Sequence, residues 1–221
     1  MPESHGGEAA SGNAAPRMAD KLPRNVVFDV GNVLLSWDPR TILRDHLAPG
    51  HDPERFRREM FDHEDWVELD RGGLDEEEAI LRFAERTGAP LELLQRIVQA
   101  SKSSLTPMPE SLALLEDLHR RGVNLYVLSN MSHGTWEFLQ PRHDFWSRFK
   151  GIVISAQLRL VKPEPAIYQY LLDTWSLAAG ETVFMDDRPE NVEGARKVGI
   201  RSFVFDGAAN ARARLTSGRW D

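Results

Sequence analysis

The sequence predicts an α/β protein with a mostly parallel sheet, helices on both faces and a small α-helical segment inserted after the first strand. In the second half of the chain, short apolar runs alternate with amphipathic helical segments, which is typical of a Rossmann-like sheet. After the first apolar run, by contrast, about 65 residues show helical patterns and no convincing strand. We therefore predict a disordered tail at 1–24, an α/β core at 25–38 plus 105–221, and a helical cap at 39–104.

Length, composition and charge narrow the class of protein. A chain of 221 residues with 41% hydrophobic residues can bury a proper core. Because no run of about 18 apolar residues and no basic start followed by an apolar stretch occurs, we expect a cytoplasmic protein without a membrane partner. The formal net charge of −7, with Arg scattered among Asp and Glu, argues against nucleic acid as a partner. We expect a monomer or a weak homodimer.

The N-terminal elements follow from local patterns. The first 24 residues are rich in Gly, Ala, Ser and Pro without hydrophobic periodicity, which predicts the disordered tail. Asn25–Phe28 is the first predicted strand, and a loop containing Gly31 and Asn32 follows it. In the insertion, residues 52–61, 75–86 and 90–99 are predicted helices; Asp75 is the expected N-cap of the second, and the Glu residues after it favour the positive helix end.

The core resumes after Pro107. Leu112, Leu115 and Leu118 lie on one face of a predicted helix, and Gly122 is its expected stop. The remaining predicted strands are residues 123–128, 151–155, 182–185 and 200–205, and the remaining predicted helices are 164–175 and a helix that opens at Pro189 and ends at Gly199.

Polar residues stand where these apolar runs end. They are Asp29, Ser129 with Asn130, Lys162, and Asp186 with Asp187. Because ligands of open parallel sheets bind outside the carboxyl ends of the strands, we expect these side chains to meet in one crevice. Carboxylates that hold a divalent cation, together with a hydroxyl and an ammonium group that hold an anion, suit chemistry on a phosphate ester.

The residue types also indicate the metal and the reaction. The chain has no Cys, and its seven His residues lack close metal-ligand pairing, so carboxylates and Mg²⁺ are favoured over zinc. Asp29 is the candidate nucleophile, and a cation would relieve the repulsion between Asp186 and Asp187. Taken singly, Asp29 and Ser129 are more typical of turns and helix caps than of a site, and Lys162 is more typical of a solvated surface. Asp187 alone is as typical of a helix cap as of a metal site. Their order and placement together favour the phosphatase interpretation.

With these segments in this order, the chain resembles the haloacid dehalogenase-like (HAD) hydrolase superfamily over about residues 25–206. The resemblance is carried by Phe28-Asp29-Val30-Gly31-Asn32-Val33, Leu128-Ser129-Asn130, Val161-Lys162-Pro163-Glu164 and Met185-Asp186-Asp187-Arg188-Pro189-Glu190-Asn191. It looks most like the group that contains a bacterial α-D-glucose-1-phosphate phosphatase and the N-terminal domains of epoxide hydrolases. The resemblance implies the HAD fold and a Mg²⁺-dependent phosphatase of small phosphorylated metabolites such as sugar phosphates.

The resemblance also implies residue roles. Asp29 is the nucleophile and a metal contact, the Gly31 carbonyl and Asp187 contact the metal with Asp186 in support, and Ser129, Asn130 and Lys162 bind the phosphate. One departure concerns Gly31, where phosphatases of the superfamily usually carry a second Asp as general acid/base. Asp38 and His133 are candidate substitutes, although a surface role is expected more often for each.

Three other interpretations compete with the phosphatase. A 2-haloacid dehalogenase would use an Asp nucleophile without a metal, but it has no need for the Asp186-Asp187 pair. A phospho-acceptor receiver module would carry its acidic pair on the first strand and would lack the helical insertion. A HAD-fold binding protein with little turnover would keep the site without its activity.

Overall fold

The computed structural model describes residues 22–218 and Trp220. Within these residues the chain forms a five-stranded sheet and eleven α-helices. The strands are β1 (Asn25–Phe28), β2 (Asn124–Ser129), β3 (Gly151–Ile154), β4 (Thr182–Asp186) and β5 (Arg201–Val204). The helices are α1 (Pro39–His46), α2 (Pro53–Glu59), α3 (Glu64–Arg71), α4 (Glu76–Thr87), α5 (Leu91–Ser103), α6 (Pro109–Arg120), α7 (His133–Leu139), α8 (Ser155–Leu158), α9 (Pro165–Thr174), α10 (Pro189–Lys197) and α11 (Ala208–Ser217).

The sheet is parallel throughout, with the strand order β3-β2-β1-β4-β5. This confirms the predicted α/β class, and each observed strand agrees with its prediction to within one residue at either end. The chain runs outward from β1 through β2 to β3, and then crosses to the other side of β1 to form β4 and β5. The direction of winding therefore reverses next to β1, and such a reversal opens a crevice outside the carboxyl ends of the strands.

Helices cover both faces of the sheet, as predicted. Alternate residues of a strand point to opposite faces, and in β1 Val26 and Phe28 pack with Leu115 of α6 and Leu215 of α11. Val27 points the other way, into a cluster with residues of α9 and α10. Because both faces are buried, the strands read as continuous apolar runs, and this pattern made them recognisable in the sequence.

The insertion has a hydrophobic cluster of its own. Helices α1 to α5 bury apolar side chains against one another, including Leu43, Phe56, Phe83 and Ile97. Three of these helices match the predicted segments, whereas α1 and α3 were missed. Each of the two missed helices has eight residues, and packing rather than intrinsic propensity stabilises helices of this length.

Most of the predicted tail, residues 1–21, lies outside the described residues. Leu22 packs against the core, and Arg24 forms an ion pair with Glu181 at 3.1 Å, so the chain already contacts the domain before β1 begins. Among the described residues, no helix has the length and apolarity needed to cross a membrane.

Candidate active site

A cavity of about 510 Å³ opens at the carboxyl ends of β1, β2 and β4. The insertion supplies part of its wall. Its lining includes all but one of the side chains predicted from the strand ends, namely Asp29, Ser129, Asn130, Lys162 and Asp187. Gly31 and Asn32 line it as well. The remaining predicted residue, Asp186, is fully buried directly beneath this group.

Lys162 connects the two acidic segments. Its Nζ donates hydrogen bonds to Oδ1 of Asp29 at 2.7 Å, to Oδ2 of Asp186 at 2.7 Å and to the carbonyl of Leu128 at 2.9 Å. The Lys162 side chain is 1% exposed, so it is not the solvated lysine that the sequence left open. A buried ammonium group with three acceptors is held in one position.

Asn130 holds the loop that carries Lys162. The Nδ2 group of Asn130 donates to the Lys162 carbonyl at 2.9 Å, and Oδ1 accepts from the Lys162 N–H at 2.8 Å. Ser129, at the end of β2, is buried and lines the cavity beside it. The segment Leu128-Ser129-Asn130 and the segment that contains Lys162 are thus joined by a pair of hydrogen bonds.

The two adjacent carboxylates have different surroundings. Asp186 accepts from Lys162, from the backbone N–H of Arg188 at 2.8 Å and from Nδ2 of Asn191 at 3.0 Å. Asp187 lines the cavity and accepts from Nδ2 of Asn32 at 3.0 Å. Asn191 is therefore buried against Asp186.

Asn32 is placed by an unusual backbone conformation. Its φ is +52°, in the left-handed region that Asn tolerates better than most residues. Its Oδ1 accepts from the N–H of Trp37 at 2.8 Å, while Nδ2 reaches Asp187. At the preceding Gly31, an added Cβ would meet its nearest atom, Cβ of Trp37, at 3.9 Å, so packing alone does not require glycine there.

The site concentrates negative charge. Among the described residues, Asp29, Asp186 and Asp187 offer carboxylate oxygens that lie within 4.8 Å of one another. Burial, only partly offset by Lys162, raises the pKa of Asp29 to about 7, and Asp186 and Asp187 add to the increase. Burial also raises the pKa of Asp187. An oxygen-only donor set with excess negative charge fits a hard divalent cation such as Mg²⁺.

Asp70 is a cavity residue that the sequence analysis missed. It stands near the end of α3, is partly buried and faces the same cavity. Its main-chain carbonyl accepts a hydrogen bond from Oγ of Ser155, and the backbone N–H of Ser132 lies near its carboxylate. Burial, partly offset by the nearby backbone N–H of Ser132, raises the pKa of Asp70 to about 7. The available signal was its position in Asp70-Arg71-Gly72-Gly73, where a helix ends in a left-handed glycine.

The residues after Asp70 attach the insertion to the core. Arg71 forms two hydrogen bonds with the carboxylate of Glu164, at 2.9 and 2.7 Å. Gly72 has a φ of +78°, and a Cβ at this position would lie 2.5 Å from the carbonyl oxygen of Ala156. The backbone of the insertion thus touches the core directly beside the cavity.

The cavity has an aromatic wall, to which the insertion contributes Phe61 and Trp66. Trp37, Phe61 and Trp66 line it. Their ring centroids are 5.7 Å apart for Trp37 and Phe61, and 4.6 Å apart for Phe61 and Trp66. These distances are typical of packed aromatic pairs, so the rings form one apolar surface.

The two candidate substitutes for the missing Asp lie elsewhere. Asp38 is the N-cap of α1, where its carboxylate accepts from the N–H groups of Arg40 and Thr41, and it is not among the cavity residues. His133 begins α7 and lies against a separate depression beside Gly72. Helix geometry explains both placements, since each residue occupies a helix N-terminus.

Comparison with known proteins identifies relatives of the whole chain. A family model described as haloacid dehalogenase-like hydrolase matches residues 23–199. Drimenol cyclase drtB of Aspergillus calidoustus is 29% identical over 89% of this chain, which spans 36% of that protein. Sesquiterpene phosphatase astK of Aspergillus oryzae is 27% identical over 79% of this chain and 85% of that protein. D-ribitol-5-phosphate phosphatase of Bacteroides thetaiotaomicron is 24% identical over 87% of this chain and 97% of that protein.

Solved structures share the fold. A HAD-like family hydrolase from Porphyromonas gingivalis is 26% identical, with a TM-score of 0.72 over 88% of this chain and 98% of that chain. A HAD family enzyme of Bacteroides thetaiotaomicron in complex with magnesium is 22% identical, with a TM-score of 0.66 over 85% of this chain and 95% of that chain. At 22% identity, the similarity to the Bacteroides thetaiotaomicron enzyme shows the fold alone.

Proposed function

We propose that this chain, which belongs to the haloacid dehalogenase-like hydrolase family, is a Mg²⁺-dependent phosphatase that acts through an aspartyl-phosphate on Asp29. One observation carries the proposal. The carboxylate of Asp29 lies at the cavity floor between the ammonium group of Lys162 and the carboxylate of Asp187. A nucleophile, a cationic group and an acidic metal-binding group thus meet where a phosphate can enter.

The donor set supports the metal. Asp29, Asp187 and the carbonyl of Gly31 would hold Mg²⁺, with Asp186 in support beneath them. When bound, the ion would neutralise the negative charge of a phosphate and of the surrounding carboxylates. Burial is the main cause of the raised pKa of Asp29, and such a cation would relieve the further increase that comes from Asp186 and Asp187.

The protein groups account for the two steps of the reaction. An oxygen of Asp29 attacks phosphorus, the bond to the leaving group breaks, and water then hydrolyses the aspartyl-phosphate to regenerate Asp29. Lys162 holds the attacking carboxylate in place and offsets charge on the phosphate. The Ser129 hydroxyl, which lines the cavity, offers a hydrogen bond to the phosphate. Asn130 supports Lys162 by fixing its loop through two hydrogen bonds.

The insertion, residues 39–104, acts in this proposal as a cap. The insertion places Phe61 and Trp66 in the wall of the cavity, beside Trp37. It contacts the core through Arg71. A cap that excludes water strengthens the electrostatic interactions beneath it and selects the leaving group.

We infer a small phosphorylated metabolite as substrate, with sugar phosphates as the first class to test. The relative that acts on D-ribitol 5-phosphate supports this class. A second class is isoprenoid monophosphates, favoured by the aromatic wall and by the relative described as a sesquiterpene phosphatase. Aromatic rings accept both the apolar face of a sugar and a hydrocarbon chain, so the assay must include both classes.

A dehalogenase remains the competing activity. It would use Asp29 in the same way but would leave Asp187 and its partner Asn32 without a role. Receiver and binding-protein functions are disfavoured on a different ground, because the family match concerns hydrolases.

The test is phosphate release from sugar phosphates, isoprenoid monophosphates and p-nitrophenyl phosphate, with Mg²⁺ or with EDTA, by the wild type and by Asp29→Asn. We expect Mg²⁺-dependent release that Asp29→Asn abolishes. Chloride release from 2-chloropropionate in the presence of EDTA would instead identify a dehalogenase.

A further inference from the structure

We propose that Asp70, supplied by the insertion, is the general acid/base of the reaction: it gives a proton to the leaving group and takes one from the attacking water. This inference rests on the proposed phosphatase function and adds a residue to its site. It concerns a chemical need that Asp29, Lys162 and Asp187 do not meet.

The need arises at the leaving-group oxygen. When the bond from phosphorus to this oxygen breaks, the oxygen gains negative charge, and a poor leaving group requires a proton in the same step. Phosphoryl transfer places the attacking and leaving oxygens roughly in line, so the leaving group lies on the side opposite Asp29. Asp29 extends from the sheet, and the insertion lines the cavity around it. A proton donor for the leaving group is therefore expected on the insertion.

Among the described residues that line the cavity, the carboxylates are Asp29, Asp62, Asp70 and Asp187. Asp29 and Asp187 belong to the nucleophile and the metal group. The side chain of Asp62 is 45% exposed and forms an ion pair with Arg57, so its carboxylate already has a partner at the surface. Asp70 is the remaining carboxylate, and it lies in the insertion.

Several contacts fix the position of Asp70. Oγ of Ser155 donates to its carbonyl, and the backbone N–H of Ser132, three residues beyond Ser129, lies near its carboxylate. The next residue, Arg71, is tied to Glu164 by two hydrogen bonds, and Gly72 lies against Ala156. Contacts on both sides of a catalytic group hold it in the productive geometry.

The environment of Asp70 suits proton exchange near neutral pH. Burial is the main influence that raises its pKa to about 7, and the charged groups that face it are Lys162, Arg188 and Asp29. An acid/base group works best when its pKa is close to the operating pH, because both protonation states are then populated.

The proton balance closes over the two steps. In the first, Asp29 bonds to phosphorus, the P–O bond to the leaving group breaks, and protonated Asp70 gives its proton to the departing oxygen. In the second, water attacks phosphorus, ionised Asp70 takes the proton of that water, and the bond between Asp29 and phosphorus breaks. Phosphate leaves, and both carboxyl groups return to their starting states.

The test compares two leaving groups. Wild type, Asp70→Asn and the control Asp62→Asn are assayed with p-nitrophenyl phosphate, which leaves readily without a proton, and with phenyl phosphate, which does not. For Asp70→Asn we expect kcat/KM on phenyl phosphate to fall by roughly 10²- to 10⁴-fold and kcat/KM on p-nitrophenyl phosphate to fall by less than about 10-fold. Asp62→Asn should lower both values by the same small factor.

Two further readouts separate catalysis from structure. Because ionised Asp70 is the base of the second step, Asp70→Asn should release a burst of p-nitrophenolate while the aspartyl-phosphate accumulates. The alkaline fall in wild-type kcat/KM on phenyl phosphate should disappear in this variant. Asp70→Glu, or the double variant with Gly31→Asp, should recover part of the phenyl phosphate activity, since a Cβ at Gly31 has room.

The outcomes are distinct. An equal loss on both substrates in a folded Asp70→Asn protein, or no loss on either, would overturn the role of Asp70 while leaving the phosphatase in place. If the wild type released phosphate from neither compound in an Asp29-dependent manner, both this inference and the proposed function would fall.

Discussion

Nζ of Lys162 lies 2.7 Å from Oδ1 of Asp29, although 133 residues separate the two along the chain. Both groups are buried, and the same ammonium group also binds Asp186 at 2.7 Å. Burial lowers the pKa of Lys162, but the two carboxylates outweigh it and the net shift is upward, so the lysine stays charged. The contact joins the loop before α9 to the ends of β1 and β4 and positions the proposed nucleophile.

Replacing Lys162 with Met should both destabilise the protein and inactivate it. Removing one partner of a buried ion pair leaves uncompensated charge on Asp29 and Asp186, which costs roughly 3–5 kcal/mol of unfolding free energy. Loss of the positive charge near the phosphate should lower kcat by at least about 10²-fold. Urea unfolding and phosphate release measure the two effects. Lys197→Met, at an exposed position on α10, is the control and should change neither. A stable Lys162→Met protein with full activity would contradict this role.

Replacing Asn32 with Gly should weaken Mg²⁺ binding. Glycine accepts the φ of +52°, so the variant removes the side chain that binds Asp187 while keeping the backbone. Loss of a group that orients a metal ligand typically costs 10- to 100-fold in affinity, and we expect about 10-fold here. Calorimetric titration with Mg²⁺ alone provides the value without an activity assay. Unchanged affinity would show that Asn32 serves the contact with Trp37 and not the metal group.

Replacing Gly72 with Ala should loosen the insertion from the core. Gly72 and Gly88 both end helices with positive φ, but a Cβ at Gly88 meets nothing within 4 Å, whereas one at Gly72 lies 2.5 Å from the Ala156 carbonyl. Both substitutions carry the left-handed strain of about 1 kcal/mol. Gly72→Ala should cost roughly 1–3 kcal/mol more, because the backbone must move. Thermal unfolding of the two variants in parallel measures the difference in stability. Equal losses would mean that the backbone at Ala156 moves away without a cost in free energy.

Asp65 should link the stability of the insertion to pH. Its carboxylate is 7% exposed and accepts from Arg82 and Arg86. Burial alone would raise its pKa, but the hydrogen bonds from Arg86 and Arg82 outweigh burial and hold the pKa below 3.8. The folded pKa is thus depressed, so the stabilisation is fully present above about pH 4 and is lost as pH falls through the folded pKa.

Asp65→Asn should therefore lower the unfolding free energy by roughly 1.5–3 kcal/mol near neutral pH, and the difference from wild type should shrink below about pH 4. Chemical unfolding over this pH range measures the difference. The control is Asp45→Asn, which removes an exposed pair with Arg44 and should have little effect at any pH. A difference from wild type that did not change with pH would show that the carboxylate charge plays no part.

The sheet and most site residues could be predicted from the sequence for one physical reason. A parallel strand buried on both faces is a continuous apolar run, and it ends where the chain reaches the crevice, so Asp29, Ser129 and Asp186 were marked by the ends of such runs. The sequence does not show which residues these side chains contact. Whether Lys162 is buried or solvated depends on the fold around its loop, not on its immediate neighbours.

Asp70 shows why the rest could not be predicted. Its helix, α3, is short and was not recognised, and the contacts that place it come from Ser132 and Ser155, more than sixty residues away in the chain. Asp38 and His133 were chosen because they are close in sequence to the segments of the site, yet each stands at a helix N-terminus and neither lines the cavity. Proximity along the chain is a poor guide wherever an insertion supplies part of a site.

The most direct test of the central claim is the mass of the protein after rapid quenching of a reaction with p-nitrophenyl phosphate and Mg²⁺, in the wild type and in Asp29→Asn. We predict that a fraction of the wild type gains the mass of one phosphoryl group, that peptide mapping places it on Asp29, and that Asp29→Asn gains none. Phosphate release by the wild type without any phosphorylated protein, or phosphorylation that persists in Asp29→Asn, would contradict Asp29 as the nucleophile.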